Sequence, residues 1–388
     1  MRTAHLPTIT CLSRTNLEHD YQHSIAISLL RGLAALQVAA SHLRAQFYPG
    51  LSTLPDPTLW YQVLSFFTGF AHQAVIVFFV LSGWLVGGSL LNKRHQSGII
   101  ADYAIDRVTR LWIVLVPALL LSIALGLASG SLASGQLDLT SNSAYSATSF
   151  VGNLLGLQGI AVPRFGDNFP LWSLANETWY YILFPLIVLA FSAERMARRM
   201  VAAVLVLAIA VLLTPEMMLY FGLWLMGVGF SRVRITASNA WIAAQTVLFL
   251  AIATWGRLAG HNGVPLAQSL FQDTAFALAF LPLLCSLQRK ADLSRPGVAL
   301  LAAAGERLSA FSFTLYVVHV PLLLYLASVS GGVRLSPDDP MSLLAYTALL
   351  AVLVVTAWLL YLPFEAQTYR LRRAVKSWLR PAVRARAA

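Results

Sequence analysis

The sequence predicts an all-α integral membrane protein with about ten transmembrane helices and both termini in the cytoplasm. Of its 388 residues, 58% are hydrophobic and 11% are charged, and the mean hydropathy is +0.69. An average soluble domain carries about a quarter charged residues, so much of this chain is expected to face lipid. Apolar runs of about 17–25 residues, the length that crosses a bilayer, recur along the chain.

Ten apolar runs are interpreted as spans, and they divide the chain into three parts. A cytoplasmic N-terminal segment occupies 1–23, a transmembrane domain that contains all ten helices occupies 24–364, and a basic cytoplasmic tail occupies 365–388. The first segment lacks the early apolar core of a signal peptide, so the first span is expected to stay uncleaved. The predicted helices lie near 24–47, 66–92, 108–130, 171–191, 200–214, 217–231, 239–256, 270–287, 310–330 and 342–364.

Basic residues alternate between the segments that connect these helices. Of the 27 Lys and Arg residues, 22 fall in one alternate set of segments and two lie within the first helix, while the other set contains only Arg164, Arg257 and Arg334. Positive residues favour the cytoplasmic side, so this pattern predicts the orientation. The net charge of +11 does not indicate a nucleic-acid partner, because the basic residues form short clusters between apolar runs.

Several kinds of chemistry are excluded by what the pattern lacks. The two cysteines, Cys11 and Cys285, are too few for a disulfide framework and show no metal-ligand spacing, so no metal is expected. There is no Gly-rich phosphate loop and no soluble catalytic domain. The connections on the predicted outer side are short except for 131–170, so any chemistry is expected to use residues of the membrane helices and this loop.

Ionisable residues inside the predicted spans are few, and each is a functional candidate because burying charge in lipid costs several kcal/mol. Arg44 and Asp273 lie near the predicted outer ends of their helices and can extend to the interface, which favours an interfacial role for both. The remaining members of this set are Arg31, His42, Glu177 and His319.

The first and fourth helices carry candidates at similar depth. Arg31 and His42 are eleven residues apart, which places them on one helix face about 16 Å apart along the axis. Glu177 follows Trp172 and Ser173, and Ser173 and Glu177 share a face. Counted from the outer helix ends, His42 and Glu177 lie at about 7 and 9 Å. A His–Glu pair could act as a general base toward a hydroxyl, or it could only hold two helices together.

A second polar group is expected nearer the cytoplasm, on the ninth helix. Ser312, Tyr316 and His319 recur at i, i+4 and i+7, so they form one polar stripe. Arg31 reaches a similar inner depth on the first helix.

Two further segments have both a functional and a structural interpretation. Arg107 and Arg110 share a face at the start of the third helix, an arrangement that suits phosphate groups but is also common where a helix enters from the cytoplasm. Segment 78–83 ends in Ser82 and Gly83, small residues that permit close helix packing or a ligand. Packing is the favoured interpretation for that segment alone.

Together these segments resemble acyltransferase family 3, the membrane-bound acyl-CoA-dependent O-acyltransferases of polysaccharides and related glycosides. The resemblance covers nearly the whole membrane region and keeps the family's order. The chain differs from many members at Ser28 and Ile76, where aspartate is frequent, and the proline that commonly follows the Arg pair appears only at Pro117. The matching segments are Arg-x10-His at 31–42, Phe-Phe-x-x-Ser-Gly at 78–83, Arg-x-x-Arg at 107–110, Trp-Ser-Leu-x-x-Glu at 172–177 and the Ser-to-His segment at 312–319.

The resemblance implies the reaction and the role of each motif residue. The donor is expected to be acyl-CoA, with acetyl-CoA the simplest case, and the acceptor a carbohydrate that enters beneath the 131–170 loop. The expected setting is the lipid of a bacterial inner membrane. The implied catalytic residues are His42, Glu177 and Arg31; the implied donor-binding residues are Arg107, Arg110, Ser82, Tyr316 and His319; the implied acceptor-binding residues are Trp172 and Ser173.

Two other functions fit parts of the same pattern. A multi-pass transporter or flippase would also have many spans and few membrane charges, although the chain shows no paired halves or broken-helix symmetry. An acyltransferase acting on a small cytoplasmic glycoside such as a macrolide would keep the chemistry and change the acceptor. Direct transfer and a covalent acyl-histidine both remain open.

Overall fold

The structure is a computed structural model that describes residues 7–132, 143–260 and 266–385. The chain is 75% helical and has almost no sheet, which confirms the predicted all-α, multi-pass class. Residues 133–142 of the predicted outer loop lie outside the described residues, as do the first part of the predicted N-terminal segment and the end of the tail.

The described residues form two short strands and a series of helices. Three single 3₁₀ turns, at Leu51–Thr53, Phe165–Asp167 and Glu365–Gln367, and one π turn at Gly83–Gly87 connect some of them. In chain order the elements are β1 (Thr8–Cys11), α1 (Gln22–Phe47), α2 (Leu59–Phe67), α3 (Ala71–Ser82), α4 (Gly88–Lys93), α5 (Ile99–Ala128), α6 (Ala147–Leu154), α7 (Leu171–Ser192), α8 (Met196–Leu212), α9 (Pro215–Phe230), β2 (Val233–Thr236), α10 (Asn239–Ala259), α11 (Leu266–Ser286), α12 (Pro296–Ala310), α13 (Ser312–Val329), α14 (Met341–Tyr361) and α15 (Thr368–Ala385).

Eight helical segments of the described residues are long and apolar enough to cross a membrane. Helices α8 and α9, which correspond to the fifth and sixth predicted spans, have 17 and 16 residues and are shorter than the ~20 that a bilayer requires. Ten crossings and cytoplasmic termini therefore stay predictions. The eight segments are Gln22–Thr53, Leu59–Lys93, Ile99–Ala128, Leu171–Ser192, Asn239–Ala259, Leu266–Ser286, Ser312–Val329 and Met341–Leu379.

Two of the predicted helices have different boundaries in the structure, and one helix occurs where none was predicted. The second one, 66–92, is interrupted before Ala71 and again by the π turn, although its apolar run is continuous. The third begins at Ile99 rather than near 108, and α12 occupies 296–310, where a loop was expected. Hydropathy locates the apolar part of a helix but not a polar helical extension, and alanine-rich segments such as 302–304 favour helix.

The chain forms two compact units, which are described separately. In the first unit, α9 packs closely on α3 and the π turn because both contribute glycine. A Cβ at Gly83 would lie 1.9 Å from the carbonyl oxygen of Trp224, and a Cβ at Gly227 would lie 2.1 Å from that of Val80. The buried Trp224 indole donates a hydrogen bond to Ser82 Oγ, at 3.2 Å. This unit consists of Met1–Val38, Gly69–Arg94 and Leu213–Ala310.

A buried acidic residue of the first unit has partners on two other helices. Asp273 of α11 is 2% exposed, and its Oδ1 lies 2.7 Å from Nε2 of His72 in α3. The Tyr220 hydroxyl of α9 also hydrogen-bonds to Asp273. The interpretation that Asp273 extends to the interface is therefore wrong, because helix packing encloses its carboxylate.

Arg44, the other residue expected near an outer helix end, is half-buried and donates from Nε to Thr68 Oγ1, at 2.9 Å.

The N-terminal segment contributes one of the two strands of the small sheet in the first unit. Strand β1 pairs with β2 in antiparallel register, from Thr8 opposite Thr236 to Cys11 opposite Val233. The chain after β1 is held by Asn92, whose side-chain amide both donates to and accepts from the backbone of Thr15.

The second unit is built around α5, α7, α13 and α14. Helix α13 contains Pro321, which has no N–H to donate to the carbonyl oxygen of Val317. The side-chain amide of Asn168 donates to that oxygen instead, at 2.8 Å. The loop that precedes α7 is thereby fixed to the middle of α13. This unit consists of Ala39–Thr68, His95–Leu212 and Phe311–Ala388.

The described part of the predicted outer loop, 143–170, is an ordered cap of the second unit. The Asn153 side chain donates to the carbonyl oxygen of Pro163 and accepts from the backbone N–H of Phe165, at 2.9 and 3.1 Å. Gln158 donates to the carbonyl oxygen of Leu171, at 2.8 Å. These bonds set the direction in which the chain enters α7.

The basic tail continues as α15, which lies along α5 in the second unit. Lys376 Nζ is 2.8 Å from Asp106 and 3.2 Å from Asp102, and Arg372 is 3.2 Å from Asp106. Two acidic residues in the polar extension of α5 therefore match the spacing of basic residues on α15.

Candidate active site

Two histidines from different helices of the second unit lie side by side. Nδ1 of His42, near the end of α1, is 2.8 Å from Nε2 of His319 in α13. The ring centroids are 5.1 Å apart and the planes are 15° from parallel. His319 is fully buried, whereas His42 is only partly buried. His42 is therefore the member of the pair that a substrate can reach.

The hydrogen bonds of His319 assign the protons of both rings. Its Nδ1 lies 2.8 Å from the carbonyl oxygen of Tyr316 and 3.2 Å from that of Leu315. A carbonyl oxygen only accepts, so Nδ1 carries the proton and Nε2 of the neutral ring is an acceptor. His42 must then donate from Nδ1, which leaves its own Nε2 unprotonated. An imidazole held in this tautomer is equipped to act as a general base.

An aromatic side chain from the loop borders the reachable histidine. The Phe169 ring packs edge-on against His42, with centroids 4.7 Å apart and planes at 69°. Phe169 directly follows Asn168, whose hydrogen bond to α13 fixes this part of the loop. The loop thus places an apolar wall beside His42, and 41% of Phe169 remains exposed.

One turn before His319, Tyr316 links α13 to the first turn of α7. Its hydroxyl and Ser173 Oγ share a hydrogen bond of 2.6 Å, and both also reach the carbonyl oxygen of Pro170, at 3.3 and 3.0 Å. Ser173 is buried and Trp172 beside it is half-buried. The predicted donor residue Tyr316 and the predicted acceptor residue Ser173 therefore belong to one hydrogen-bonded group.

Glu177 lies one turn beyond Ser173 on α7. Its carboxylate interacts electrostatically with the hydroxyl groups of Tyr316 and Tyr103. The sequence allowed a pair between His42 and Glu177, but the hydrogen-bond partner of His42 in the structure is His319.

The placement of His319 in a separate cytoplasmic layer is also wrong. The predicted start of this helix, near 310, agrees with α13, which begins at Ser312. Positions counted along two separate helices do not establish which side chains meet, and the fold brings His42 and His319 together.

The predicted phosphate-binding pair consists of two arginines with different surroundings. Arg107 lies between two aromatic rings, with its guanidinium carbon 5.9 Å from the Tyr103 centroid and 5.6 Å from that of Tyr181. Across 7–132, 143–260 and 266–385 it forms no ion pair, and its Nε has no hydrogen-bond partner. The aromatic faces hold the cation without neutralising it.

Arg110, in contrast, is paired with a buried carboxylate. Its Nη2 is 2.7 Å from Oε1 of Glu365, which is 3% exposed. Oε2 of Glu365 accepts from the backbone N–H and hydroxyl of Thr314, at 3.0 and 2.7 Å. Glu365 thereby satisfies an amide in the first turn of α13, where N–H groups lack partners within the helix. Arg110 thus contributes to the position of α13.

Polar residues of three helices of the second unit follow one another in a polar track. The charge of Glu177 on α7 acts electrostatically on the hydroxyls of Tyr103 on α5 and Tyr316 on α13, and the track ends at the histidine pair. Residues spaced three or four apart lie on one helix face, which explains the alignment. The track residues are Tyr103, Arg107, Ser173, Glu177, Tyr181, Tyr316, His319 and His42.

Two predicted site residues belong to the first unit. Arg31 is half-buried on α1, eleven residues before His42 in sequence. Ser82 ends α3 and accepts the Trp224 hydrogen bond described above, which agrees with the packing interpretation of 78–83. Among the described residues, no three His, Cys, Asp or Glu side chains cluster in a way that could hold a metal ion.

Sequence reasoning missed three residues that organise this region. Pro321 in an apolar run signals that a carbonyl needs an outside donor, but it does not point to Asn168. Glu365 directly follows the last apolar run, and nothing near it in sequence indicates a partner on α5. Tyr103 lies in the polar extension of α5, before the predicted start of that helix.

A comparison with known protein families identifies the class of this chain. A family model described as an acyltransferase domain matches residues 24–362, nearly the whole membrane region. The chain belongs to acyltransferase family 3. No curated protein and no solved structure matched it. With eight segments suited to cross a membrane, the protein is a multi-pass membrane acyltransferase.

Membership of an acyltransferase family gives the track a chemical meaning. Acyl transfer requires a base for the attacking group, a site for the donor and a route between them. Within the second unit, the partly exposed His42 has a free ring nitrogen and Arg107 has an unneutralised charge. The residues between them are polar hydroxyls and one carboxylate, so the arrangement can hold a polar donor and deprotonate an acceptor.

Proposed function

We propose that this acyltransferase moves an acyl group, acetyl in the simplest case, from acyl-CoA to a sugar hydroxyl. The acceptor is an exported polysaccharide, oligosaccharide or glycolipid, and the protein resides in the bacterial inner membrane. The single observation that carries the proposal is the His42–His319 pair, which leaves His42 Nε2 unprotonated. A hydroxyl needs such a base, because it must lose its proton as it attacks a carbonyl.

The donor half of the proposal rests on Arg107. CoA carries several phosphate groups, and a guanidinium is the side chain best suited to bind them. The rings of Tyr103 and Tyr181 limit the orientations of Arg107. Arg110 acts indirectly in this proposal, by holding Glu365 and through it the start of α13. The positive-inside pattern predicts that this end of α5 lies in the cytoplasm, where CoA is available.

The proposed reaction is a direct transfer. The hydroxyl proton passes to Nε2 of His42 while the hydroxyl oxygen forms a bond to the thioester carbonyl carbon. The tetrahedral intermediate then breaks its C–S bond, and the departing CoA sulfur takes the proton from His42. The products are a sugar ester and free CoA. While His42 is charged, its Nδ1–H bond to His319 stabilises the imidazolium.

The remaining site residues have supporting roles in the proposal. Tyr103 and Tyr316, whose hydroxyls both lie in the electrostatic field of Glu177, line the route of the thioester arm, and Ser173 holds Tyr316. From the motif resemblance alone, Arg31 is assigned to the developing oxyanion, Ser82 to the donor arm and Trp172 to the acceptor.

The proposal is tested by label transfer from radioactive acetyl-CoA, and in parallel from a longer acyl-CoA, in membranes that contain the protein. Host glycan serves as acceptor, and mild alkali distinguishes an ester, which it cleaves, from an amide. His42→Ala should reduce alkali-labile label by about 10²–10⁴-fold. His95→Ala, which changes an exposed histidine between α4 and α5, should transfer like the wild type.

Three results would contradict parts of the proposal. Full transfer by His42→Ala would rule out His42 as the general base. Alkali-stable label would show that the acceptor group is an amine and not a hydroxyl. Movement of unmodified glycan across the membrane without label transfer would favour a transporter. Label on a small cytoplasmic glycoside, with none on exported glycan, would change the acceptor class and leave the chemistry intact.

A further inference from the structure

A polar cavity of about 260 Å³ lies in the second unit, at the ends of α5 and α13 that face the 143–170 loop. Its lining combines hydroxyl groups with one carboxylate. The size is just below the ~300 Å³ at which drug-sized ligand sites begin, so it suits one small ring. The polar lining residues are Ser122, Ser129, Ser131, Tyr145, Asp167, Tyr325 and Ser328.

The carboxylate of this cavity is presented by a strained turn. Gly166 and Asp167 both have left-handed backbone conformations, with φ of 58° and 53°. A non-glycine residue in this region costs about 1–2 kcal/mol and persists only where its surroundings hold it. The N–H of Gly166 donates to the carbonyl oxygen of Ala144, at 3.0 Å, and a Cβ at Gly166 would lie 3.0 Å from Ser122 Cβ.

The same turn leads directly to the catalytic histidine. Asn168, the next residue, is fixed to Val317 of α13, and Phe169 after it packs against the His42 ring. Only Asn168 therefore separates the cavity carboxylate from the aromatic ring beside His42. Consecutive Cα atoms are about 3.8 Å apart, so the Cα atoms of Asp167 and Phe169 are at most about 7.6 Å apart, and the cavity lies close along the chain to the ring that borders the proposed base.

The chemistry of the lining favours a neutral polyhydroxyl ligand. Burial, and to a lesser extent the charge of Asp167, raise the pKa of the Tyr145 hydroxyl, which therefore stays protonated and can donate. A carboxylate accepts hydrogen bonds from hydroxyl groups and repels phosphate, which excludes the CoA donor from this cavity. Tyrosine rings add apolar faces of the kind that cover the C–H side of a sugar.

We propose that this cavity binds a neutral sugar residue of the acceptor glycan, next to the residue that is acylated. The inference rests on the proposed function and adds an acceptor subsite to it. It implies that the enzyme acts on an oligosaccharide or polymer rather than on a single sugar, because only a longer acceptor can occupy the cavity and reach His42 together.

The test compares acceptors of two lengths. The glycan that accepts label from the wild-type protein is first identified. The same glycan is then prepared without label, partially hydrolysed and separated into single-sugar and oligosaccharide fractions, which serve as the probes. Wild-type protein should have a KM for the oligosaccharide at least about tenfold below that for the single sugar, as expected for one or more hydrogen bonds to a charged group. Asp167→Asn should remove most of this preference by raising the oligosaccharide KM.

Matched variants separate a subsite from a folding defect. Tyr325→Phe removes one lining hydroxyl from α13 without touching the strained turn, and should also raise the oligosaccharide KM. Asp338→Asn makes the same charge change at an exposed acid of another loop and should leave both KM values unchanged.

The outcomes distinguish the inference from the proposed function. Transfer by the wild type without a length preference, or a preference that survives in both Asp167→Asn and Tyr325→Phe, would overturn the subsite and leave the proposed function standing. A wild type that acylates neither fraction, under conditions where label was first observed on the intact glycan, would limit the acceptor to a longer polymer and overturn a one-residue subsite. Absence of any glycan label would overturn the proposed function and the subsite with it.

Discussion

Replacing His319 by leucine removes the nitrogen that accepts from His42 and keeps a buried apolar side chain in the middle of α13. His319→Gln makes a smaller change, because its amide oxygen can still accept a hydrogen bond from Nδ1 of His42. In both variants Nε2 of His42, the proposed base, is untouched. Comparison of the two variants therefore measures what the orientation of His42 contributes to the rate while the base itself is present.

The size of the effect follows from the geometry of the pair. A neutral hydrogen bond contributes about 1 kcal/mol net, and one to a charged group about 1.5–3 kcal/mol. His42 becomes charged as it takes the acceptor proton, so the 2.8 Å bond to His319 strengthens in the transition state. Since ~1.4 kcal/mol is a factor of ten in rate, His319→Leu should lower kcat by about 10–100-fold. His319→Gln should retain more activity than His319→Leu.

Steady-state acetyl transfer at saturating donor and acceptor measures this kcat, with protein amounts matched and His95→Leu as the control. The KM for acyl-CoA should change little, because His319 is buried and reaches the donor only through His42. The double variant with His42→Ala should be no slower than His42→Ala alone, since residues that act as one unit are not additive. Full kcat in His319→Leu, or losses that multiply in the double variant, would refute the argument that His319 acts through its hydrogen bond to His42.

Two further predictions concern the arginine pair and the helix packing. Arg107→Ala should raise the KM for acyl-CoA by about tenfold through loss of a charged contact, whereas Arg110→Ala should mainly lower the melting temperature, because Glu365 is left as a buried unpaired charge at a cost of about 3–5 kcal/mol. Equal effects of the two variants on KM would contradict this division. Gly227→Ala should destabilise the protein by at least about 1–3 kcal/mol in detergent melting, because its Cβ would lie 2.1 Å from a backbone oxygen. Gly222→Ala, with open space around its Cβ, is the control, and equal stability of both would refute the packing argument.

The sequence was informative about the fold wherever lipid exposure determines composition. Eight of the apolar runs correspond to segments that can cross a membrane, because a spanning helix must be apolar along its whole length. The break before Ala71, the π turn and the start of α12 were not predicted. Those features depend on contacts with neighbouring helices, such as that of Gly83 with Trp224, and a hydropathy profile carries no information about them.

In the site, too, the sequence revealed individual residues but not the contacts between helices. His42 and His319 were both recognised, because each is an ionisable residue in an apolar run. Their pairing was missed, since it depends on how α1 and α13 pack against each other and not on any pattern within either helix. Glu365 was assigned to the tail, although its contact with Thr314 spans 51 residues of sequence. A carboxylate next to a span has many possible partners, and only the packed structure selects one.

The choice of a second histidine to orient the first has a physical reason in this setting. A carboxylate in the position of His319 would be fully buried, and an unpaired buried charge costs several kcal/mol. The neutral imidazole of His319 avoids that cost, because its Nδ1–H is satisfied by helix carbonyl oxygens and its Nε2 still accepts from His42. Such a partner fixes the tautomer of the base as firmly as a carboxylate would, but it stabilises the imidazolium less. The resulting base suits an acyl donor that is already activated, as a thioester is, and is less suited to an unactivated ester or amide. In the proposed reaction, the thioester of acyl-CoA is such an activated donor.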